Sequence, residues 1–460
     1  MSLAELGLTT GAGERRAVPV EAVSAQTLQT HVAGEAPLRR WVAAQGFEAR
    51  EGTWLGCPGP DGGLARVLVG VDEACPPRAF GALARTLPEG VYRLGDGAVA
   101  VDAGTAALYW GLGAYRYTAY KEEEAGCRAL WMVPDADAGV VRRRLEAVYQ
   151  VRDLINTPAS DLMPGQLAAA ARDLAEPFGA MVDEIVGEAL AGAGYPMVYA
   201  VGQASHHAPR VVRLTWGRSG PLLAVVGKGV CFDSGGLDLK TAQGMRLMKK
   251  DMAGAAQALG LARLVMGADL PVRLQVWIPA VENAVAGNAL RPGDVLRARD
   301  GTTVEIDNTD AEGRLILADC LAAAGEARPD LIVDFATLTG AARVALGTEL
   351  PALFCSDEAL ARELAAVADE VDDPLWPLPL HTAYRYLLDS EVAQIKNCSS
   401  EPYAGAITAA LFLRAFVPEA VPWVHLDFMG WNLRERPGHP KGGEAQGLLG
   451  LFAWLERRYA

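Results

Sequence analysis

The sequence predicts a two-domain α/β protein whose second domain carries a mixed, mostly parallel central sheet flanked by helices. Three observations predict it. From about residue 165 onward, apolar runs of strand length alternate with longer stretches of helical spacing, the pattern of an open sheet covered on both faces. Ahead of this alternation lies one long amphipathic stretch that prolines terminate. The composition, 51% hydrophobic and 21% charged over 460 residues, supplies apolar surface for more than one core. The expected boundaries are 1–137 for an N-terminal α/β domain, 138–157 for a linking helix and 158–460 for the second domain.

In chain order, residues 65–71 read as a strand interrupted only by Arg66. Residues 91–93 and 99–101 read as a hairpin closed by Asp96-Gly97. The same segment matches a glycine-rich dinucleotide pattern through Gly95, Gly97 and Ala100, but no helical period follows the glycines, so the hairpin is the preferred reading. Val140, Val141, Leu145, Val148, Val151, Leu154 and Ile155 recur at helical spacing until Pro158 and Pro164. Arg142-Arg143-Arg144 within that helix reads as a solvated face. The run 222–226 is wholly apolar, as buried parallel strands are. Helix 252–266, strand 272–278, strand 303–306, helix 312–324, strand 331–335, a helix after Thr337, strand 423–428 and helix 446–457 complete the alternation.

Several function classes are disfavoured. A formal charge of −14 argues against a general binder of nucleic acid or anionic membrane. No run approaches the ~18 apolar residues that a membrane span requires. Residues 1–16 lack the apolar core of a signal peptide, so a cytoplasmic, soluble protein is expected. Cys57, Cys75, Cys127, Cys231, Cys320, Cys355 and Cys398 are scattered and never form CxxC, the habit of reduced thiols. The six histidines contain no HExxH, and the adjacent His206-His207 pair would face apart on a strand. A GxSxG elbow and a GxxxxGK[ST] loop are also missing. Any metal site must therefore be built from carboxylates.

Such carboxylates occur at unusual places. Lys228 directly follows the apolar run 222–226 and Gly227; Asp233 and Lys240 flank Gly235-Gly236; Asp251 opens a helix. Asp310, Glu312 and Arg314 sit between a short strand and a helix start. An open α/β sheet binds its ligand outside the carboxyl ends of its strands, where these residues fall. Taken singly, Asp251 and Asp310 read as N-caps, Lys228 as a solvated lysine and Glu312 as a first-turn acid. Taken together, they are better explained by a dinuclear metal site. Asp233, Asp251, Asp310 and Glu312 bring four negative charges that two divalent cations neutralise, and carboxylates can bridge ions roughly 3.5–4 Å apart. Lys240 and Arg314 are then left to face negative charge developing on a substrate.

Residues 226–236, Val-Gly-Lys-Gly-Val-Cys-Phe-Asp-Ser-Gly-Gly, resemble the metal-binding stretch of the leucyl (cytosol) aminopeptidase family, and Asn308 to Leu315 matches that family's signature octapeptide unchanged. Lys240, Met248, Asp251-Met252 and the stretch from Asp334 to Ala341 are similar too, and coverage runs from Arg152 to the C-terminus. The resemblance implies a variable N-terminal domain and a catalytic metallo-aminopeptidase domain. It implies one ion on Asp233, Asp310 and Glu312, and a second on Lys228, Asp233, Asp251 and Glu312. Lys228 would then ligate as a neutral amine, its pKa depressed by the two dications. A water bridging the ions would attack the scissile carbonyl, the substrate's free α-amine would bind one ion, and Lys240 would stabilise the oxyanion. Arg314 would hold a bicarbonate ion as general base. Zn²⁺, Mn²⁺ and Mg²⁺ all suit such ligands.

Met248, Thr337 and Gly340 match the family's pocket for the first side chain and imply apolar residues such as Leu or Met. Near the C-terminus the chain departs from the family, with Asp427-Phe428-Met429-Gly430-Trp431-Asn432 where an Asp-Ile-Ala-Gly type sequence is usual. Met429 either narrows and re-polarises that pocket or fills core; both readings stay open. The resemblance further implies a homohexamer whose sites face an interior cavity, restricting substrates to short peptides. Two alternatives compete with this reading. A two-metal phosphohydrolase is disfavoured by the scattered histidines and the acidic charge. An additional DNA-binding role has only Arg142-Arg143-Arg144 and Lys249-Lys250 in its favour.

Overall fold

The computed structural model describes residues 1–11, 17–121 and 128–460; Cys127 and part of the N-terminal stretch read above for a signal peptide lie outside them. The chain divides into two compact units, Met1–Tyr149 with Leu433–Lys441, and Gln150–Asn432 with Gly442–Ala460. The division falls inside the helix Asp135–Asn156. Among the described residues no helix is long and apolar enough to cross a membrane.

The first unit is built on a six-stranded sheet of order β1-β6-β5-β2-β4-β3. Its strands are β1 (Leu8–Thr9), β2 (Val18–Val23), β3 (Trp54–Pro58), β4 (Leu64–Gly70), β5 (Gly90–Leu94) and β6 (Ala129–Met132). Among the described residues only the β3–β4 pair is antiparallel. Buried Val20, Ala22, Val67 and Val69 line its centre, as β-branched residues on a pleated surface do.

The expected hairpin at residues 91–101 does not form. Strand β5 pairs in parallel with β2 and β6, and residues 99–101 are irregular. The chain instead runs against β2, with the Gly95 amide donating to Val20 O at 2.9 Å and the Val99 amide to Ala22 O at 3.1 Å. A Cβ at Gly97 would lie 2.4 Å from Ala22 N, so only glycine allows that approach. A helix does follow, Ala103–Ala114, capped by Asp102, whose carboxylate accepts from the Thr105 amide at 2.8 Å. It showed no helical period because its Ala, Tyr, Trp, Leu and Gly residues are buried on nearly every side.

The second unit carries the expected mixed, mostly parallel sheet. Its strands are β7 (Met181–Val186), β8 (Arg210–Trp216), β9 (Leu222–Gly227), β10 (Gly229–Asp233), β11 (Arg273–Asn283), β14 (Leu331–Ala336), β15 (Ala352–Cys355), β16 (Trp376–Pro377) and β18 (Trp423–Asp427). A small separate sheet joins β12 (Val295–Arg297), β13 (Thr303–Glu305) and β17 (Ile395–Lys396). The main order is β16-β15-β18-β14-β9-β11-β8-β7, with β10 added on β11. The central strands β18, β14, β9 and β11 run parallel. Every residue of β9 and β14 is buried, because helices cover both faces. Ala224 and Val226 join the core formed by helix Glu312–Glu326, and helix Ala253–Gly267 packs on β9 and β14.

The consequence for function is positional. Lys228 follows β9, Asp233 ends β10, Asn283 ends β11, Thr337 follows β14 and Asp427 ends β18, so polar residues collect at one edge of the sheet. Strand β11 extends five residues beyond the predicted 272–278, which is what brings Asn283 there.

Candidate metal centre

Each acid reaches the centre on a short, local device. After β10 the chain turns through Gly235 and Gly236, at φ of +92° and +64°, and closes with the Lys240 amide donating to Ser234 O at 2.9 Å. A side chain at Gly235 would also meet Asp238 O at 2.5 Å, so the Gly-Gly pair lets Asp233 and Lys240 face each other. Asp251 lies in the short 3-10 turn Met248–Met252, and Glu312 is the first residue of helix Glu312–Glu326. The capping reading fails for Asp251 and Asp310. Met252 and Ala311 occupy the N-cap positions, and neither caps through its side chain. Lys228, with 3% of its surface exposed, is no solvated lysine.

The side chains converge. Lys228 Nζ lies 2.7 Å from Asp251 Oδ2 and 3.0 Å from Glu312 Oε1, and donates to Thr337 O at 3.1 Å. Lys240 Nζ lies 2.7 Å from Asp233 Oδ2 and also donates to Asp310. One oxygen each from Asp233, Asp310 and Glu312 lies within 4.8 Å of the others. Asp233 is oriented by the Gly235 amide and by Asn283 Nδ2, both donating to Oδ1 at 2.9 Å. Asp251 Oδ1 accepts from Thr337 Oγ1 at 2.8 Å. Arg314, buried, donates through Nη1 to Asn397 O at 2.6 Å, while its Nε finds no partner among the described residues.

Titration follows from crowding four acids into a largely buried site. Burial, together with the neighbouring Asp233, pushes Glu312 up to about 8 and Asp310 up to about 6. Burial works against the charge of Lys228, but Asp251, Glu312 and Asp233 outweigh it and raise the amine above its ordinary value. Burial likewise opposes the charge of Asp251, which Lys228 and Lys250 nevertheless hold below the carboxylate range. Lys250 differs: burial pushes its amine down to about 7.

The donor set fits a pair of divalent cations. Asp251 Oδ2 and Glu312 Oε1 are buried oxygens without a properly directed hydrogen bond, although each is close to Lys228. Four carboxyl groups pair with only Lys228 and Lys240, and the proton that burial keeps on Glu312 is one that an oxygen-seeking cation can replace. The centre opens into a cavity of about 270 Å³ that Lys228, Asp233, Lys240, Asp251, Asp310 and Arg314 line, together with Met248, Thr337 and Gly340. Met429 is half-buried and does not line that cavity.

Four residues at the centre escaped the sequence. Asn283 orients Asp233; its one signal was the polar end of an apolar strand. Asn397 accepts from the Asp307 amide at 2.8 Å and donates to Asn308 O at 2.7 Å, clamping the octapeptide from a region without a motif. Lys250 and Arg343 also line the cavity. Lys250 is 1% exposed, which removes it from any surface basic stripe.

Comparison with known proteins agrees with this geometry. The pattern of the cytosol aminopeptidase family, catalytic domain, matches residues 149–451, and that of the M17 aminopeptidase N-terminal domain matches residues 18–133. A Nocardia farcinica protein named "Probable cytosol aminopeptidase" is 42% identical over 372 residues, covering 77% of this chain and 74% of its own. The solved cytosol aminopeptidase of Coxiella burnetii superposes with a TM-score of 0.94 at 46% identity, covering 99% of this chain and 100% of its own. The bottromycin maturation enzyme BotP, solved in complex with Mn, gives a TM-score of 0.86 at 36% identity, covering 96% and 99%.

Proposed function

The chain belongs to the cytosol aminopeptidase family of peptidases, and from that premise we propose that it removes N-terminal residues from short peptides at a site holding two divalent ions. The observation that carries this reading is the convergence of oxygens from Asp233, Asp310 and Glu312 within 4.8 Å, beside Asp251 and Lys228. Asp233, Asp310 and Glu312 would hold one ion; Lys228, Asp233, Asp251 and Glu312 would hold the other. Zn²⁺, Mn²⁺ and Mg²⁺ suit these ligands, and the manganese of BotP supports such a metal. When bound, the ions supply Lewis-acid polarisation of the scissile carbonyl and a water of lowered pKa.

The chain's own groups do the rest. Asn283 and the Gly235 amide lock the Asp233 carboxylate in one orientation. Lys228 would ligate as a neutral amine, the charge of two dications outweighing the acids that raise its amine here. Lys240, on the cavity wall, presents an ammonium to the carbonyl oxygen as negative charge builds there. Arg314 would hold bicarbonate as the general base, which suits a buried guanidinium whose Nε lacks a partner. Met248, Thr337 and Gly340 provide the wall for an apolar first side chain such as Leu or Met. The proposed assembly is a homohexamer, which sedimentation equilibrium checks.

The test is metal analysis of Lys228→Arg. Arginine stays protonated and cannot ligate, so the variant should retain one ion per chain where the parent holds two. Two ions per chain in the variant would overturn the assignment.

A further inference from the structure

Two basic side chains that line the cavity beside the metal centre, Lys250 and Arg343, make no side-chain hydrogen bond or ion pair among the described residues. Lys250 is 1% exposed and lines the cavity, yet among the described residues its amine makes no hydrogen bond or ion pair. The acids nearest to it are committed elsewhere. Asp251 is taken by Lys228 and Thr337 Oγ1. Asp427 accepts from the Leu338 and Thr339 amides through Oδ1 and from Thr339 Oγ1 through Oδ2. The remaining charged neighbours of Lys250, Arg343 and Lys228, are themselves cations. Arg343 lines the same cavity, likewise has no side-chain partner among the described residues, and places Nη2 3.8 Å from where a side chain on Gly340 would begin.

Burying an amine without a partner is costly, and a protein keeps one where a ligand supplies the missing charge. Lys228, Lys240 and Arg314 have protein acceptors and proposed roles at the reacting centre, which leaves Lys250 and Arg343 for the first side chain of a substrate. Both line the cavity that Met248 and Gly340 also line, where the first side chain of a substrate would lie.

We propose that this cavity selects peptides whose first residue is acidic, glutamate or aspartate, with Lys250 as the specificity-determining residue and Arg343 as its partner. The proposal rests on the aminopeptidase reading and revises its substrate class. Met248 and Gly340 pack the methylene stem of glutamate, and the carboxylate gains charge-assisted hydrogen bonds from the two cations.

The experiment compares kcat/KM of the metal-loaded enzyme on the p-nitroanilides of glutamate, aspartate and leucine, for the parent, Lys250→Met, Lys250→Arg and Arg343→Met. Calorimetric Kd values for L-glutamate and L-leucine provide a readout independent of turnover. The parent should cleave the glutamate substrate at least as well as the leucine one and bind glutamate more tightly. Lys250→Met should lower the glutamate-to-leucine ratio by about 30-fold or more, Arg343→Met should lower it less, and Lys250→Arg should retain most of it. A parent that cleaves leucine but rejects glutamate overturns the acidic preference and leaves the peptidase reading standing. An equal fall on both substrates in Lys250→Met makes the lysine structural and also overturns it. A loaded parent that cleaves neither substrate overturns the aminopeptidase reading itself.

Discussion

Asp251 and Asp334 are both carboxylates with almost no exposed surface, and they are held in opposite ways. Asp334, on β14, receives His425 Nδ1 on one oxygen at 2.6 Å and Trp423 Nε1 on the other at 2.7 Å. His425 is stacked between Phe354 and Trp423, with ring centroids 5.8 and 5.9 Å away. One acid meets one base, both carboxylate oxygens are occupied, and neither group lines the cavity of the metal centre. Asp251 belongs to a set of four acids that share two lysines, keeps one oxygen without a directed hydrogen bond, and faces that cavity. Burial of charge is common to both clusters. What marks the functional one is an excess of acid with carboxylate oxygens left over, whereas the orphan atom of the other is a single nitrogen, His425 Nε2.

The sharpest way to break this contrast is to remove one acid from each cluster. Glu312→Gln should lower kcat/KM on aminoacyl-amides on the order of 10³-fold, the several kcal/mol that a bound ion supplies, and should reduce metal content by mass spectrometry. Asp334→Ala should leave metal content unchanged yet cost about 3 kcal/mol of stability in denaturant titration, because it strands His425 in the core. Loss of metal in Asp334→Ala would erase the distinction.

Acidity sharpens it further. Glu312, at about 8, and Asp310, at about 6, must lose their protons to ligate, so metal affinity should climb most steeply below about 6, where both are protonated, and Lys228, whose raised amine must also lose a proton, keeps it climbing above 8. The Asp334 cluster has the opposite sign. Burial opposes the charge on His425, but Asp334 wins and raises its pKa above the free value. The pair therefore contributes fully below the ordinary histidine range, and that contribution drains away as pH rises through the raised value. Denaturant midpoints of the parent against His425→Phe, taken from acid to alkaline pH, should converge as pH rises.

The smallest effect belongs to the first unit. Asp102→Ala removes the cap of helix Ala103–Ala114 and should cost about 1 kcal/mol without altering metal content.

The sequence by itself determined the alternating α/β order of the second unit and the identity of the clustered acids. Both are local: strands β9 and β14 are continuous apolar runs because two faces are covered, and Asp310, Glu312 and Arg314 sit within one turn of chain. Asp334 was legible as part of a motif, but only the packing shows that its partners are His425 and Trp423.

The helix Ala103–Ala114 was lost in the sequence because a segment buried all round carries no period. Tertiary structure alone decided that Asn283 and Asn397 brace the centre. It decided, too, that Lys250 and Arg343, far apart in sequence, line one cavity. The physical reason is that a charge acts through space. Its partners come from other strands, and a partner's absence is visible only once every neighbour has been placed.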